Sequence, residues 1–438
     1  MSTFAAVLDS GNPTAAPAAT AKRRLTPPAY LPRAPRVFAD LDVPESMLAD
    51  LALRHVGMRG TATIQLLAKW MRLPLELAEN LFRRLNEQNL FDVRKMTGDD
   101  YVFTLSGSGR KFAQERSIST RYVGPAPVSL TSWTNAVRAQ AVPGEITREK
   151  LRQAFHDIVI EDKVLDELGP AMISQNAIFL YGPSGTGKTT VAERLMRVYD
   201  DTVVVPWAIE VEGQIIAIAD PTVHEPVEFD EELAVEVDPR WVICRRPFVA
   251  VGGELVTSML DLQRDESEGC CTAPLQMKAS NGMLLIDDFG RQMISPRDLL
   301  NRWIVPLDRR IDFLSFGSGA KKFDIPFELQ IVFSTNLAPN ELADEAFLRR
   351  IPNKILIDAI TAEQFDQIFR LVAAKEKIGY DAGCEQVLRE LCLRHSPDLR
   401  PCYPRDIITM IRAIAVYEGR KLHIRTPDIE RAVTGYFV

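Results

Sequence analysis

Three shortages in this sequence limit what the protein can be. Its 438 residues include only six cysteines and no C-x-x-C pair, so neither a disulfide framework nor a zinc ribbon is indicated. No stretch of about 18 uninterrupted apolar residues occurs, and no transmembrane helix is expected. The first residues lack the basic start and apolar run of a secretory signal. We therefore expect a cytoplasmic protein with reduced thiols and no membrane insertion.

The sequence also lacks a strong excess of charge of either sign. Its 52 Lys and Arg residues stand against 59 Asp and Glu residues, a formal net charge of −7. This balance excludes a uniformly basic nucleic-acid coat protein, although a local basic patch is compatible with it. The composition, 46% hydrophobic and 25% charged, is ordinary for globular proteins. At about 150 residues per domain, the length predicts about three domains.

Residues 1–36 differ from the rest of the chain in composition. Ala, Pro and Thr dominate, and the apolar residues follow neither a helical nor a strand period. Five basic residues stand against the single acid Asp9, which gives a charge of +4. Such a segment buries too little apolar surface to fold alone, so a disordered tail is expected. Contact of the run Lys22–Arg24 with nucleic acid or an anionic surface is the alternative.

Residues 37–118 have the pattern of a small separate domain. Apolar positions at helical spacing are followed by two short alternating runs around a Gly-Asp-Asp turn and then by a helix from Ser108. Three helices followed by a β-hairpin is the order of a winged helix. The helices are predicted over 44–55, 61–71 and 74–89, and the strands over 90–94 and 101–105.

A winged helix often places its third helix in the DNA major groove. Here that helix offers Arg83 and Arg84, and the hairpin offers Arg94 and Lys95. Residues 37–120 nevertheless contain 11 Lys or Arg and 11 Asp or Glu. This region therefore has no net charge and lacks the excess of basic residues that is typical of a DNA-binding domain. DNA binding, protein docking and a purely structural role all stay open. The Pro- and Gly-containing residues 119–150 are expected to be a linker with one short helix.

A glycine-rich phosphate-binding motif follows the linker. An apolar strand is predicted at 177–181 and a helix at 190–198, with G-x-x-x-x-G-K-[ST] between them. Backbone N–H groups of such a loop surround a β-phosphate, the lysine reaches the β- and γ-phosphates, and the Thr ligates Mg²⁺. The predicted nucleotide-binding residues are Gly182, Pro183, Ser184, Gly185, Thr186, Gly187, Lys188, Thr189 and Thr190, with Thr189 also a metal ligand.

Two further apolar strands end in polar side chains that would complete this site. Residues 283–286 are a buried strand followed by Asp287 and Asp288. We expect Asp287 to hold Mg²⁺ and Asp288 to polarise the attacking water. A third strand, 329–335, ends at Asn336, whose amide would orient that water or contact the γ-phosphate.

Together these motifs resemble the AAA+ ATPases over roughly residues 150–438. Asn336 fits the family's sensor 1 position. Arg350 resembles the arginine finger and is favoured over Arg349 because the finger usually directly precedes an aromatic or aliphatic residue. Arg405 resembles sensor 2. Neither an N-K-x-D motif nor an L-S-G-G-Q signature is present, which argues against a GTPase or a transport ATPase.

The resemblance implies a fold and an assembly. The fold is α/β: a P-loop AAA+ core with a parallel sheet over 151–355, followed by a helical lid over 356–438. The cofactors are ATP and Mg²⁺. An arginine finger acts in trans on the γ-phosphate of a neighbouring subunit, so the resemblance implies a ring or filament, often a hexamer.

The sequence departs from the family at the second acid. That residue is usually Glu, whereas Asp288 is one methylene shorter and places its carboxylate ~1.5 Å further from the water. A misplacement of that size can cost ~10²-fold in rate. The expectation is a slow ATPase, unless the backbone shifts to compensate.

A β-hairpin is predicted just ahead of the Asn336 strand, over 310–327. It resembles the pre-sensor 1 hairpin of the clade that includes MoxR-type chaperones, and Lys321 and Lys322 would lie at its tip. The leading hypothesis is therefore an ATP-driven remodeller or chaperone of an unknown client protein. The alternative is a DNA-associated switch that binds duplex through the winged helix. A nucleotide-bound scaffold that does not hydrolyse ATP is a third possibility, because of Asp288.

Overall fold

The structure is a computed structural model that describes residues 25–98, 100–116, 120–228, 237–265, 269–317, 321–342 and 345–437. Its α-helices, in chain order, are α1 (Glu45–Arg59), α2 (Ile64–Met71), α3 (Leu75–Glu87), α4 (Gly107–Arg116), α5 (Leu130–Ala139), α6 (Arg148–Ala154), α7 (Asp162–Ser174), α8 (Lys188–Leu195), α9 (Leu275–Lys278), α10 (Pro296–Arg309), α11 (Pro339–Leu342), α12 (Glu345–Leu348), α13 (Ala362–Lys375), α14 (Cys384–His395), α15 (Cys402–Tyr417) and α16 (Thr426–Tyr436).

The strands are numbered in the same way. They are β1 (Ala62–Thr63), β2 (Phe91–Thr97), β3 (Asp100–Leu105), β4 (Val128–Ser129), β5 (Ile178–Tyr181), β6 (Thr202–Pro206), β7 (Ala208–Val211), β8 (Gln214–Ala217), β9 (Trp241–Arg245), β10 (Phe248–Val251), β11 (Gln263–Asp265), β12 (Cys270–Thr272), β13 (Met283–Ile286), β14 (Ile311–Leu314), β15 (Phe323–Pro326), β16 (Gln330–Thr335), β17 (Asn353–Leu356), β18 (Gly379–Tyr380) and β19 (His423–Ile424).

Residues 25–36 are ordered against the body of the protein, which corrects the expectation of disorder for this part of the tail. The backbone N–H of Thr202 donates to the carbonyl of Thr26 at 3.1 Å. The ring of Tyr30 meets Trp241 edge-on, with 6.5 Å between centroids. The Pro-rich segment thus finds hydrogen bonds and apolar contacts on a distant part of the chain. The rest of the predicted tail lies outside the described residues.

The predicted helices and hairpin of residues 37–118 are present in the predicted order. Helices α1 to α4 pack around a three-stranded antiparallel sheet, β1-β3-β2. The apolar residues of α3 lie on one face at helical spacing, and that face is buried. Phe82, Phe91 and Phe103 form an aromatic centre with ring centroids 4.6–5.9 Å apart. One hydrophobic core therefore holds this region together.

Residues 119–150 differ from the linker expected there. Within them, β4 joins a second sheet of order β11-β12-β8-β7-β4, and α5 packs against that sheet. Trp133 of α5 is 2% exposed and packs into the core of that sheet. Ala208 and Ile215 extend the core of the N-terminal region onto the same sheet. The Pro and Gly content of the segment therefore marks turns within a packed structure.

A five-stranded parallel sheet of order β10-β13-β16-β5-β17 forms the centre of the nucleotide-binding region. Strands β5, β13 and β16 are adjacent to one another in the order β13-β16-β5 and are almost entirely buried because helices cover both faces. This confirms the predicted α/β core with a parallel sheet. The carboxyl ends of neighbouring parallel strands meet at one edge, which is where ligands bind in such sheets.

The C-terminal residues form a helical unit, as predicted. Helices α13 to α16 bury their apolar faces in one cluster, and the short parallel pair β18–β19 closes it. Thr361 caps α13 by accepting from the N–H of Gln364 at 3.2 Å, and Gln364 Oε1 in turn accepts from the N–H of Thr361 at 2.8 Å. The residues that share this core include Phe365, Phe369, Leu388, Ile407, Ile411 and Ile429.

The predicted hairpin before the Asn336 strand is also present. Strands β14 and β15 pair antiparallel, with Asp312 opposite Ile325. Lys321 forms an exposed ion pair with Glu212, in the turn between β7 and β8, at 3.2 Å. Residues 318–320 of the tip lie outside the described part of the chain.

The thiol state of the cysteines and the length of the helices both bear on expectations drawn from the composition. All six cysteines are free thiols, and five of them are buried. Burial raises the pKa of Cys244 and of Cys392 to about 12, so both are protonated and unreactive at neutral pH. Within the residues described, no helix combines the length and apolarity needed to cross a bilayer.

Candidate phosphate-binding site

The glycine-rich loop runs from the end of β5 to the start of α8, as its sequence predicts. Gly182 has φ of +142°, and a Cβ there would overlap the carbonyl oxygen of Ile357. Gly185 has φ of +81°, and a Cβ there would lie 2.6 Å from the Sγ of Cys402. Both positions therefore require glycine, for backbone conformation and for space. The loop fits closely between β17 and the lid helix α15.

Lys188 is the most enclosed cation of the site. Its side chain is nearly buried, and its Nζ donates to the carbonyls of Gly182 at 3.0 Å and Pro183 at 2.7 Å. The third donor bond goes to Asn336 Oδ1 at 2.7 Å. Burial lowers the pKa of Lys188, while the carboxylates of Asp287 and Asp288 oppose that change. All three ammonium donors are thus used, so a phosphate must replace one of these partners.

Thr189 and Asp287 form the candidate metal-binding pair. The Thr189 hydroxyl donates to Asp287 Oδ2 at 2.8 Å, and Asp287 Oδ1 accepts from the N–H of Asp288 at 3.1 Å. Hydroxyl and carboxylate oxygens are hard ligands of the kind that suit Mg²⁺, which usually takes one or two protein ligands and completes its shell with water and phosphate. In the described ranges, no group of three or more His, Cys, Asp or Glu side chains could hold a metal ion. The pair fits a cation that is shared with a nucleotide.

Asp288 occupies an unusual backbone conformation at the end of β13. Its φ is +49°, a left-handed value that Asp tolerates better than most residues. The N–H of Phe289 donates to the carbonyl of Ser334 at 2.7 Å, and Thr335 Oγ1 donates to the carbonyl of Phe289 at 2.7 Å. These bonds tie the turn to β16. Asp288 Oδ1 consequently lies 3.5 Å from the amide nitrogen of Asn336, at the outer limit of a hydrogen bond.

A cleft of about 950 Å³ opens between this loop and the helical lid. Lys188, Thr189, Asp287, Asp288 and Asn336 line its polar end. Polar and apolar side chains both line the rest of the cleft, and the apolar ones come mainly from the segment before α7 and from α13. The main apolar contributors are Ile158, Val159, Ile160, Ile368, Leu371 and Val372.

Arg405 faces the same cleft from the first turn of α15. Its side chain makes no hydrogen bond or ion pair with another described residue, so the guanidinium is available to an anion entering the cleft. Its position on the lid means that a bound anion would connect the lid to the phosphate loop.

Arg350 lies away from the cleft of its own chain. Its Nε donates to Asp308 Oδ2 of α10 at 2.8 Å, and its side chain is 28% exposed. Arg349 is 77% exposed and pairs with Glu345 at 2.8 Å, an i,i+4 contact within the same turn. The structure therefore brings together the predicted loop residues, Asp287, Asp288, Asn336 and Arg405, and it places both candidate finger arginines elsewhere.

Sequence reasoning missed an ionic contact beside the apolar part of the cleft. Asp157 accepts from Arg194 of α8 at 3.1 Å and from Arg197 at 3.0 Å. Burial acts to raise the pKa of Asp157, but the two arginines outweigh it and the pKa is lowered. The contact fixes the segment that carries Ile158 and Ile160 to the helix after the phosphate loop. A single Asp directly before a short apolar run gives no periodic signal that would have identified this contact.

Comparisons with known proteins give distant similarities. A family model described as a domain of unknown function (DUF8689) matches residues 361–435, within the helical C-terminal unit. No curated protein matches the chain. Among solved structures, the RuvB Holliday junction branch migration motor of Thermotoga maritima is 14% identical with a TM-score of 0.34, covering 68% of this chain and 73% of RuvB.

Two further solved structures are similar over comparable lengths. NtrX from Brucella abortus, in complex with ADP, is 13% identical with a TM-score of 0.39, covering 74% of this chain and 65% of NtrX. A variant of the Thermotoga maritima RuvB is 12% identical with a TM-score of 0.36, covering 63% of this chain and 70% of that one. The chain thus spans about two thirds of the NtrX structure and somewhat more of the RuvB structures.

Proposed function

We propose that this protein is an AAA+ ATPase that binds ATP with Mg²⁺, hydrolyses it, and works as an oligomer to remodel a partner protein. The observation that carries the proposal is the meeting of three strand ends at one sheet edge. There, Thr189 contacts Asp287 at 2.8 Å, and Lys188 contacts Asn336 at 2.7 Å. A phosphate-binding loop, a carboxylate and a polar amide at adjacent strand ends form the constellation needed for phosphoryl transfer to water.

Each side chain has a definite task in this scheme. Lys188 exchanges a carbonyl or amide partner for phosphate oxygens. Thr189 and Asp287 hold the cation, which when bound neutralises charge that develops on the phosphate oxygens. Asp288 and Asn336 orient the attacking water, with Asp288 as the acceptor of its proton. Arg405 contributes positive charge from the lid, so that closure of the lid over the cleft accompanies nucleotide binding.

The position of the arginine pair supports an assembled enzyme. Arg350 lies outside the cleft of its own chain, so it can act only on nucleotide held by a neighbouring copy. An arginine supplied in trans to a phosphoryl-transfer site is worth about 10³–10⁵ in rate. We therefore propose a closed ring, with six subunits as the family suggests, in which each arginine completes the next subunit's site. The six free cysteines fit a reducing compartment, which we propose is the cytoplasm.

The N-terminal winged-helix-like region is proposed to dock the client protein. Two of the four basic residues that would contact DNA phosphates already face acids, because Arg84 is paired with Glu45 and Arg94 lies 4.0 Å from Asp92. The remodeller is therefore favoured over the DNA-associated switch, since a phosphate would have to displace these carboxylates.

ATP turnover with Mg²⁺ tests the proposal, measured with full-length protein at increasing concentration, alone and with duplex DNA. We expect turnover per subunit to rise with protein concentration and to be lost in Arg350→Ala. Arg394→Ala, which removes an exposed lid arginine, is the control and keeps wild-type turnover. Stimulation of several-fold by DNA would favour the DNA-associated switch. If the ATP turnover rate changes neither with DNA nor in Arg350→Ala, the oligomeric ATPase is contradicted. The nucleotide-bound scaffold would then be the favoured function.

A further inference from the structure

Lys354 holds the backbone on both sides of the arginine pair. Its Nζ donates to the carbonyl of Leu348 and to that of Ile351, each at 2.7 Å. One carbonyl directly precedes Arg349, and the other directly follows Arg350. Helix α12 ends at Leu348, and the last carbonyls of a helix lack partners within it. A lysine donor there satisfies such a carbonyl and also fixes where the next residues leave the helix.

The same lysine lies on the strand that contacts the phosphate loop. In the pairing of β17 with β5, Lys354 lies opposite Phe179 and Leu356 opposite Tyr181. The N–H of Ile357 then donates to the carbonyl of Tyr181 at 2.8 Å. The carbonyl of Ile357 is the group that leaves no space for a side chain at Gly182. Lys354, which contacts the arginine segment, and Ile357, which contacts the phosphate loop, are therefore only three positions apart in the chain.

Partial burial of Lys354 strengthens its dependence on the two carbonyl acceptors. Lys354 is half-buried, and burial lowers the pKa of its ammonium. A partly desolvated ammonium needs its hydrogen-bond acceptors more than an exposed one does, so both carbonyl contacts resist being lost. The two ends of the Arg349–Arg350 segment are thus held at fixed distances from β17.

We propose that Lys354 is a positioning residue, which sets the arginine pair at a fixed place relative to the phosphate-loop strand so that the finger reaches nucleotide on the neighbouring subunit. This rests on the proposed function. The requirement is geometric, because a shift of about 1 Å in a catalytic group can cost about 10²-fold in rate. Both hydrogen bonds of Lys354 go to backbone carbonyls, so the lysine acts on Arg350, the proposed finger, through the placement of its backbone.

The test is Lys354→Met, which keeps most of the buried stem and removes the donors. Lys150→Met is the control for loss of a lysine donor elsewhere in the fold, because Lys150 donates to the carbonyl of Glu145 at 2.8 Å and also pairs with Asp200 at 2.8 Å. We expect Lys354→Met to lower kcat by about 10- to 100-fold and to change the Kd for ATP less than twofold. The double variant with Arg350→Ala should be no slower than Arg350→Ala alone, because both changes remove the same contribution. Lys354→Arg, which still donates to carbonyls, should restore part of kcat.

Three outcomes separate this inference from the proposed function. If Arg350→Ala leaves turnover unchanged, the trans-acting ATPase itself is contradicted. If Arg350→Ala abolishes turnover while Lys354→Met matches Lys150→Met, the positioning role alone is overturned. Loss of ATP binding or of the folded state in Lys354→Met, with no rescue by Lys354→Arg, would make Lys354 a structural cap and also overturn the inference.

Discussion

Lys188 Nζ and Asn336 Oδ1 are 2.7 Å apart although 148 residues separate them in the chain. The bond joins the first turn of α8 to the end of β16, and the amide nitrogen of Asn336 points toward Asp288 at 3.5 Å. Asn336 therefore lies between the phosphate-binding cation and the proposed general base. Any ligand that displaces the amide from Lys188 also changes its position relative to Asp288.

Replacing these two residues should separate binding from turnover. Lys188→Met removes the buried ammonium, and we expect ATP affinity to fall by at least about 100-fold, as for the loss of a charged partner in an enclosed site. Asn336→Ala keeps the ammonium and its two carbonyl contacts, so ATP affinity should change little while kcat falls by about 10²-fold. Isothermal titration and steady-state turnover measure the two quantities. Loss of affinity in Asn336→Ala equal to that in Lys188→Met would contradict the assignment.

The short side chain of Asp288 should limit the rate of ATP hydrolysis, because it holds the carboxylate far from the attacking water. Asp288→Asn removes the proton acceptor, and we expect kcat to fall by about 10²–10⁴-fold with ATP affinity retained. Asp288→Glu extends the carboxylate toward the water, and we expect kcat to rise by about tenfold. Single-turnover kinetics separate the chemical step from product release. If Asp288→Asn turns over at the wild-type rate, Asp288 is not the base.

His55 makes the N-terminal region sensitive to acid. Its Nδ1 accepts from Arg59 at 2.7 Å and its Nε2 donates to the carbonyl of Gly124 at 2.9 Å, which requires the neutral ring. Burial lowers the pKa of His55 to about 4, with the charge of Arg59 adding to this shift and the bond to Gly124 opposing it. The unfolded chain binds the proton near pH 6.5 and the folded chain does so only near pH 4, so stability is lost as pH falls through this window.

The size of that loss follows from the difference between the two pKa values. At 1.36 kcal/mol per pKa unit it is at most about 3 kcal/mol in the free energy of unfolding. Thermal unfolding of wild type and of His55→Gln from pH 7 to pH 4 measures it, with exposed His156→Gln as the control. We expect a steeper fall in melting temperature for wild type than for His55→Gln. Parallel curves for the two proteins would mean that His55 is not the group responsible.

The central site follows from the sequence because its signals are local. Thr189 and Asp287 each follow an apolar strand closely, and parallel strands place such ends at one edge of a sheet. Their contact at 2.8 Å depends on β5 and β13 belonging to one parallel sheet, which the paired motifs already indicate. The parallel sheet and the C-terminal helices followed from the same periodicities, and the structure has both.

Features that depend on distant partners did not follow from the sequence. Tyr30 belongs to a Pro-rich segment whose composition indicates disorder, yet its ring packs on Trp241. Trp133 lies in what was expected to be a linker, and its burial needs a sheet built from residues further along the chain. Lys354 directly precedes three apolar residues at the start of an ordinary strand pattern, so its two carbonyl contacts have no sequence signature.

Mixing two inactive variants tests the central claim most directly. Lys188→Met lacks nucleotide binding but supplies Arg350, and Arg350→Ala binds nucleotide but supplies no finger. With co-assembly verified by cross-linking, an equimolar mixture should recover about a quarter of the wild-type ATP turnover, because random assembly gives the productive order at about one interface in four. A mixture of co-assembled variants that stays as inactive as either variant alone would contradict an ATPase whose sites are completed by the neighbouring subunit.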